Sequence, residues 1–243
     1  MSQEIIISVQ NLVKKFGDFV ANDHLTFDVY RGEIFGFLGA NGAGKTTTIR
    51  ILCGLSKPTA GELQVDGLDV YKQAEEIKTR IGYMSQKFSL YEDLTVAENM
   101  QLYGGIYKLS DTRIRERTDE LLQQLDLVDK RDTLIRDLPL GWRQKLAFSV
   151  AIIHQPSIVF LDEPTGGVDP ITRRQFWNLI YQAAHDGITV FVTTHYMDEA
   201  EYCDRVSIMS EGKIVALDAP QALKSEYGVN SMNDVFVRIA RNR

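Results

Sequence analysis

Short apolar or alternating runs, separated by turns, make up most of this chain, and helical periodicity takes over in its middle. Residues 5–9, 25–29, 33–38, 62–65 and 81–84 read as strands, because their apolar residues either alternate or run unbroken for strand length. Gly61 and the pair Asp66-Gly67 mark turns between them. From 95 to about 127 the spacing predicts helix. Leu121, Leu122, Leu125 and Val128 form an apolar stripe there, and the charged stretch 111–120 is left to solvent. Helical character returns over 141–154. Beyond it, strands at 158–161, 189–193, 205–209 and 213–217 alternate with helices at 170–185, 196–202 and 220–227. Pro170 suits a first helical position.

This alternation predicts an α/β fold whose main sheet is largely parallel, with helices on both faces. The first strands follow one another in hairpin-like order and are expected to form a separate antiparallel layer. The stretch from about 88 to 155 breaks the alternation, so it is expected as a helical subdomain inserted into a single domain spanning 1–243.

Between the strand at 33–38 and a following helix lies Gly39-Ala40-Asn41-Gly42-Ala43-Gly44-Lys45-Thr46. It satisfies the P-loop pattern of glycine, four free positions, then Gly-Lys and Ser or Thr, in the strand–loop–helix setting the motif requires. Glycine lets bare backbone approach phosphates, and the freed N–H groups with the helix start present partial positive charge. Gly39, Asn41, Gly42, Ala43, Gly44, Lys45, Thr46 and Thr47 are therefore the expected phosphate cradle. Lys45 would reach the outer phosphates of a nucleoside triphosphate, and the Thr46 hydroxyl would meet Mg²⁺.

Other residues then become candidates. The strand at 158–161 ends in Asp162-Glu163. In a P-loop fold Asp162 would face Mg²⁺, and Glu163, next along, would polarise an attacking water. His195 follows the strand at 189–193 and would donate to the terminal phosphate. Gln86 follows the strand at 81–84 and would reach Mg²⁺ or the water. Phe16 is an aromatic placed to stack on adenine. Taken singly, such a Phe, His or acidic pair is more often structural.

Composition narrows the setting. The chain has 243 residues, 44% of them hydrophobic, which suits one large domain without staples. Its net charge is −6, so nucleic acid is not an expected partner. Cys53 and Cys203 do not suggest a disulfide framework. No signal segment is read at the start, and no apolar run approaches the roughly 20 residues of a membrane helix.

Taken together, these residues resemble the nucleotide-binding subunit of ATP-binding cassette (ABC) transporters over essentially the whole chain. Phe16 is similar to the family's adenine-stacking aromatic, 39–46 to Walker A, Gln86 to the Q-loop, and 160–165 to Walker B with its catalytic Glu163. Residues 167–170 resemble the D-loop and Thr194-His195 the switch histidine. The stretches 87–91 and 195–201 look most like the exporter branch that moves drugs, lipids or polysaccharides. The resemblance implies Mg²⁺-dependent ATP hydrolysis with Glu163, His195 and Gln86 in catalysis, and Thr46, Gln86 and Asp162 around the metal. It also implies a second ATPase subunit, a separate transmembrane permease contacted through the segment from Gln86 to Tyr107, and a place on the cytoplasmic face of the membrane.

One stretch departs from the family. Its signature, Leu-Ser-Gly-Gly-Gln, reaches a phosphate held by the partner subunit, and here the matching stretch reads Leu138-Pro139-Leu140-Gly141-Trp142-Arg143-Gln144. Pro139 lacks both hydroxyl and N–H, Leu140 is bulky, and Gly141 is the position left to attract an anion. The alternative is a permease-free cassette acting on ribosomes or nucleic acid. The ribosomal kind resembles two cassettes joined by a linker, whereas this chain carries one. The DNA-maintenance kind needs a long coiled coil, for which the interval from Lys45 to Leu138 is too short.

Overall fold

The computed structural model describes residues 4–87 and 89–241. Phe88, within the stretch that looks exporter-like and at the expected subdomain boundary, lies outside the described residues.

The first strands, β1 (Ile5–Phe16) and β2 (Phe19–Tyr30), are joined at Gly17-Asp18 and pair antiparallel, so that Phe16 faces Phe19 across the turn. With β4 (Ala60–Val65) and β5 (Leu68–Asp69) they form a four-stranded antiparallel sheet in the order β2-β1-β4-β5. The expected antiparallel layer is present. Its first two strands run well beyond 5–9 and 25–29, because pairing continues from Leu12–Leu25 to Phe16–Phe19 through register shifts that break the simple alternation.

The larger sheet holds β3 (Ile34–Gly39), β6 (Ile81–Met84), β7 (Ile158–Asp162), β8 (Thr189–Thr194), β9 (Arg205–Ser210) and β10 (Lys213–Asp218). Its order is β10-β9-β3-β8-β7-β6, and only the edge strand β10 pairs antiparallel. Alternation along each strand splits the core. Phe35, Phe37, Phe160 and Phe191 point toward the antiparallel sheet, where Phe27 meets three of them with ring centroids 5.4–6.2 Å apart. Leu38, Val159, Leu161, Val190 and Val192 point to the opposite face, under the helices.

Those helices are α3 (Val96–Ile106), α4 (Asp111–Gln124), α5 (Leu140–Ala151), α6 (Pro170–His185), α7 (Pro220–Tyr227) and α8 (Met232–Arg241), with α1 (Lys45–Leu52) and α2 (Ala74–Arg80) nearer the antiparallel sheet. The helix expected over 95–127 is two helices. Lys108 takes a left-handed φ of 61°, and the Ser110 hydroxyl caps α4 by accepting from the Arg113 N–H at 3.2 Å. Leu121, Leu122 and Leu125 are buried as the stripe predicts, but Val128 is 55% exposed because it lies beyond α4 in a 3₁₀ turn. Residues 196–202 form only a 3₁₀ turn at Glu199–Tyr202. Pro139 is the N-cap residue of α5, where its missing N–H breaks no helical hydrogen bond. Cys53 and Cys203 are buried free thiols. Among the described residues no helix is long and apolar enough to cross a membrane.

Candidate active site

Strand order builds the site. β8 lies between β3 and β7, so the chain ends that follow these three parallel strands emerge side by side. Asp162 on β7 is in register with Thr193 on β8, and Leu38 on β3 with Thr194. The loop after β3, the acidic pair on β7 and His195 after β8 are thereby neighbours despite their separation in sequence.

The loop after β3 is a cradle that side chains would fill. A Cβ on Gly44 would lie 2.4 Å from the Ala21 carbonyl oxygen and 2.7 Å from Asn22 Nδ2, and Gly44 also takes a φ of 103°. Gly42, at φ 82°, has open space around it. Asn22 is fully buried and donates to the Gly44 carbonyl at 3.2 Å and to Thr48 Oγ1 at 3.0 Å. Gly212 N–H, in the β9–β10 turn, donates to the Ala43 carbonyl at 3.2 Å. The Ala43 and Gly44 carbonyls are thus held from behind, and the Ala43 N–H donates to the Ala40 carbonyl at 3.2 Å within the loop.

Lys45 opens α1 with its side chain buried. Its Nζ donates to the Gly39 carbonyl at 2.7 Å and the Ala40 carbonyl at 3.2 Å, and stands 3.3 Å from Glu163 Oε1. Beside it, Thr46 Oγ1 donates to Asp162 Oδ1 at 3.2 Å and Thr193 Oγ1 donates to the same oxygen at 2.8 Å. Burial pushes the Asp162 carboxyl above its ordinary value, and the two hydroxyls oppose that rise. Asp162 Oδ1 and the Thr46 hydroxyl are oxygen donors of the kind Mg²⁺ takes. Mg²⁺ commonly uses one or two protein groups and completes its shell with phosphate and water, so the residues fit it.

Glu163 occupies an unusual backbone position, a left-handed φ of 50°. That bend aims its nearly buried side chain back over the loop. Gln86 Nε2 donates to Oε2 at 3.0 Å, and His195 Nδ1, facing the same carboxylate oxygen at 3.0 Å, donates as well. Among the described residues the carboxylate has three donors: Lys45, Gln86 and His195.

A cleft of about 440 Å³ gathers Phe16, Asn41, Gly42, Gly44, Lys45, Thr46, Thr47, Gln86 and Glu163. Phe16 and Phe19, 55% and 64% exposed, stand at its rim on the tip of the β1–β2 hairpin. Phe19, Asn22 and Thr193 escaped sequence reasoning. Only Phe19 carried a signal, since a two-residue turn after Phe16 places the next residue opposite it.

Gly141 is elsewhere. With Pro139, Leu140 and Trp142 it lines a second depression of about 480 Å³, alongside Gly167, Asp169 and Thr172. A Cβ on Gly141 would lie 2.6 Å from Thr172 Cγ2, so close packing on α6 accounts for this glycine within the chain. Asp169 caps α6, accepting from the Ile171 and Thr172 N–H groups at 3.0 Å each.

Comparison with known proteins identifies the family. The family model described as "ABC transporter" matches residues 22–166, more than half of the chain. "Probable multidrug ABC transporter ATP-binding protein YbhF" of Escherichia coli (strain K12) is 47% identical over 223 residues, which are 92% of this chain and 39% of that relative. The chain thus spans about two fifths of YbhF. "Daunorubicin resistance ATP-binding protein DrrA3" of Streptomyces coeruleorubidus is 39% identical over 96% of this chain and 74% of its own length. Among solved structures, a dimeric ATP-binding cassette in a post-hydrolysis state, bound to ADP and Pi, superposes with a TM-score of 0.79 at 27% identity, covering 88% of this chain and 98% of that one. The chain belongs to the ABC transporter family and has the P-loop ATPase fold of that family's ATP-binding cassettes.

Proposed function

We propose that this chain binds and hydrolyses MgATP and so powers export through a separate transmembrane permease. The observation that carries the chemistry is the Glu163 carboxylate, held by Lys45, Gln86 and His195 where the P-loop cleft opens. The 39–46 loop and Lys45 bind the phosphates, and Phe16 stacks on the base. Thr46, Asp162 and Gln86 would hold Mg²⁺, which when bound would offset charge on the phosphate oxygens. Glu163 takes the proton of the attacking water, with Gln86 orienting that water and His195 keeping the carboxylate in place.

Export is supported by the relatives' multidrug and daunorubicin-resistance descriptions. Pairing with a second ATPase subunit is supported by the dimeric solved structure and by Gly141 lying in its own surface depression, as expected if its anion comes from a partner's site. On this reading the whole of 1–243 is one ATPase domain with 88–155 as its helical subdomain. It works on the cytoplasmic face of the membrane and has no nucleic-acid partner.

The test is Glu163→Gln in the purified chain. The amide keeps the shape but cannot take a proton, so kcat should fall by about 10²–10⁴ while ATP affinity is retained. Turnover within about threefold of the parent would remove Glu163 as general base.

A further inference from the structure

Helix α5 carries a buried polar side chain that neither the nucleotide cleft nor the Gly141 depression accounts for. Gln144 is 9% exposed. Its Nε2 donates to the Gly166 carbonyl at 3.0 Å, and its Oε1 is buried without a hydrogen-bond partner among the described residues. Four residues earlier on the same helix stands Leu140, within the altered signature stretch. Gln144, Leu140, Gln86, Glu163 and Gly166 line one cavity of about 150 Å³. In that space residues of the nucleotide cleft and of the signature stretch meet inside a single chain.

The Gly166 carbonyl belongs to the turn that sets the Glu163 backbone. A left-handed φ at a non-glycine residue persists only when its surroundings over-determine it. Here the Glu163 N–H donates to the Thr193 carbonyl at 3.2 Å and to Thr193 Oγ1 at 3.0 Å. The Gly166 N–H donates to the Glu163 carbonyl at 3.2 Å, closing the turn. The Thr165 hydroxyl ties its middle to Glu199 at 2.6 Å. Gln144 is the attachment that comes from α5, the helix that begins at the signature.

We propose that Gln144 is a positioning residue. Its carboxamide fixes the 163–166 turn to the signature helix and so keeps the Glu163 carboxylate aimed at the phosphate cleft. The proposal rests on the reading of Glu163 as the group that polarises water. It gives the signature helix a mechanical link to its own chain's base as well as to a partner's nucleotide. A Gln without this role would contribute to stability alone, and poorly, since half of its amide is unsatisfied.

The test uses Gln144→Met, which keeps length and volume but removes both amide groups. Gln144→Leu repeats the loss with different packing. Both are measured as purified chains in the parent and in the Glu163→Gln background. We expect kcat to fall tenfold or more in both variants of the parent, with KM and the Kd for ATP within threefold and melting temperature nearly unchanged. In the Glu163→Gln background, Gln144→Met should cause no further loss, because the residue acts through Glu163. A kcat within threefold of the parent overturns the proposal. A fall in kcat accompanied by a matching loss of ATP affinity and of melting temperature also overturns it, in favour of a structural role. If Glu163→Gln alone retains turnover, the base assignment fails and the proposal with it. If Glu163→Gln is inactive while Gln144→Met is not, only the role of Gln144 fails.

Discussion

Lys45 Nζ and Glu163 Oε1 stand 3.3 Å apart, with side chains only 4% and 8% exposed. In the proposed reaction both groups take part: a phosphate arriving on the loop would compete with Glu163 for the ammonium and release the carboxylate toward water. Lys45→Ala should therefore raise the Kd for ATP at least tenfold, about 1.4 kcal/mol, and abolish hydrolysis. It should also lower the melting temperature of the nucleotide-free chain, because a buried carboxylate loses its cation. Calorimetric titration and thermal scans report both. Parental affinity with full turnover would refute the assignment.

Asp162 gives a pH-dependent expectation. Burial raises its folded-state pKa above the ordinary carboxylate value, so the folded state binds its proton more readily than the unfolded chain. Stability from this group is fully present below the unfolded value and is lost as pH rises through the folded one. Asp162→Asn keeps an oxygen for the Thr46 and Thr193 hydroxyls and removes the buried charge. In EDTA at pH 7 it should melt higher than the parent, and the gap should close as pH falls toward 4. Mg²⁺-dependent turnover should be lost. An equal or lower melting temperature at pH 7 would show that the hydroxyls more than offset burial.

Phe16 lies open at the cleft rim with Phe19 opposite it. Phe16→Ala should weaken ATP binding by about 0.5–1.5 kcal/mol, several-fold in Kd, and leave kcat at saturation unchanged, because stacking holds the base and not the phosphates. A fall in kcat without a change in KM would place Phe16 outside base recognition.

Pro139 and Leu140 stand where the family has Ser and Gly, and Pro139 makes no side-chain cap to α5. Pro139→Ser with Leu140→Gly restores a hydroxyl and a bare amide beside Gly141. If the altered stretch limits a homodimer, steady-state ATPase activity of the single chain should rise several-fold. A partner cassette with an intact signature should achieve the same without the substitutions. No rise, with folding and association intact, would mean that the loop is already competent.

The chemistry was legible in the sequence wherever it depended on neighbours along the chain. The 39–46 loop needs glycines and a lysine at set spacing because phosphate binding there is a backbone property. Asp162 and Glu163 follow directly from an apolar strand that ends in them. The β7 to β10 strands were legible for the same local reason, since their apolar runs are strand length.

Folding decided what depends on contacts between distant segments. The placement of β8 between β3 and β7 brings Thr193 to Asp162 and His195 to Glu163. Asn22 reaches the P-loop carbonyls from β2 and Gly212 from the β9–β10 turn. Neither announced itself, because a buried amide or a turn glycine shows its partner only after folding. The break between α3 and α4 comes at Lys108, whose left-handed φ interrupts the helix, and at Ser110, whose hydroxyl caps α4 anew; the apolar period reports neither. Gly141, read as an anion contact, is also a packing glycine against Thr172. Spacing specifies which groups a chain carries to its site. Distances between them are set by strand order and by the packing that holds Glu163 in a conformation its sequence alone disfavours.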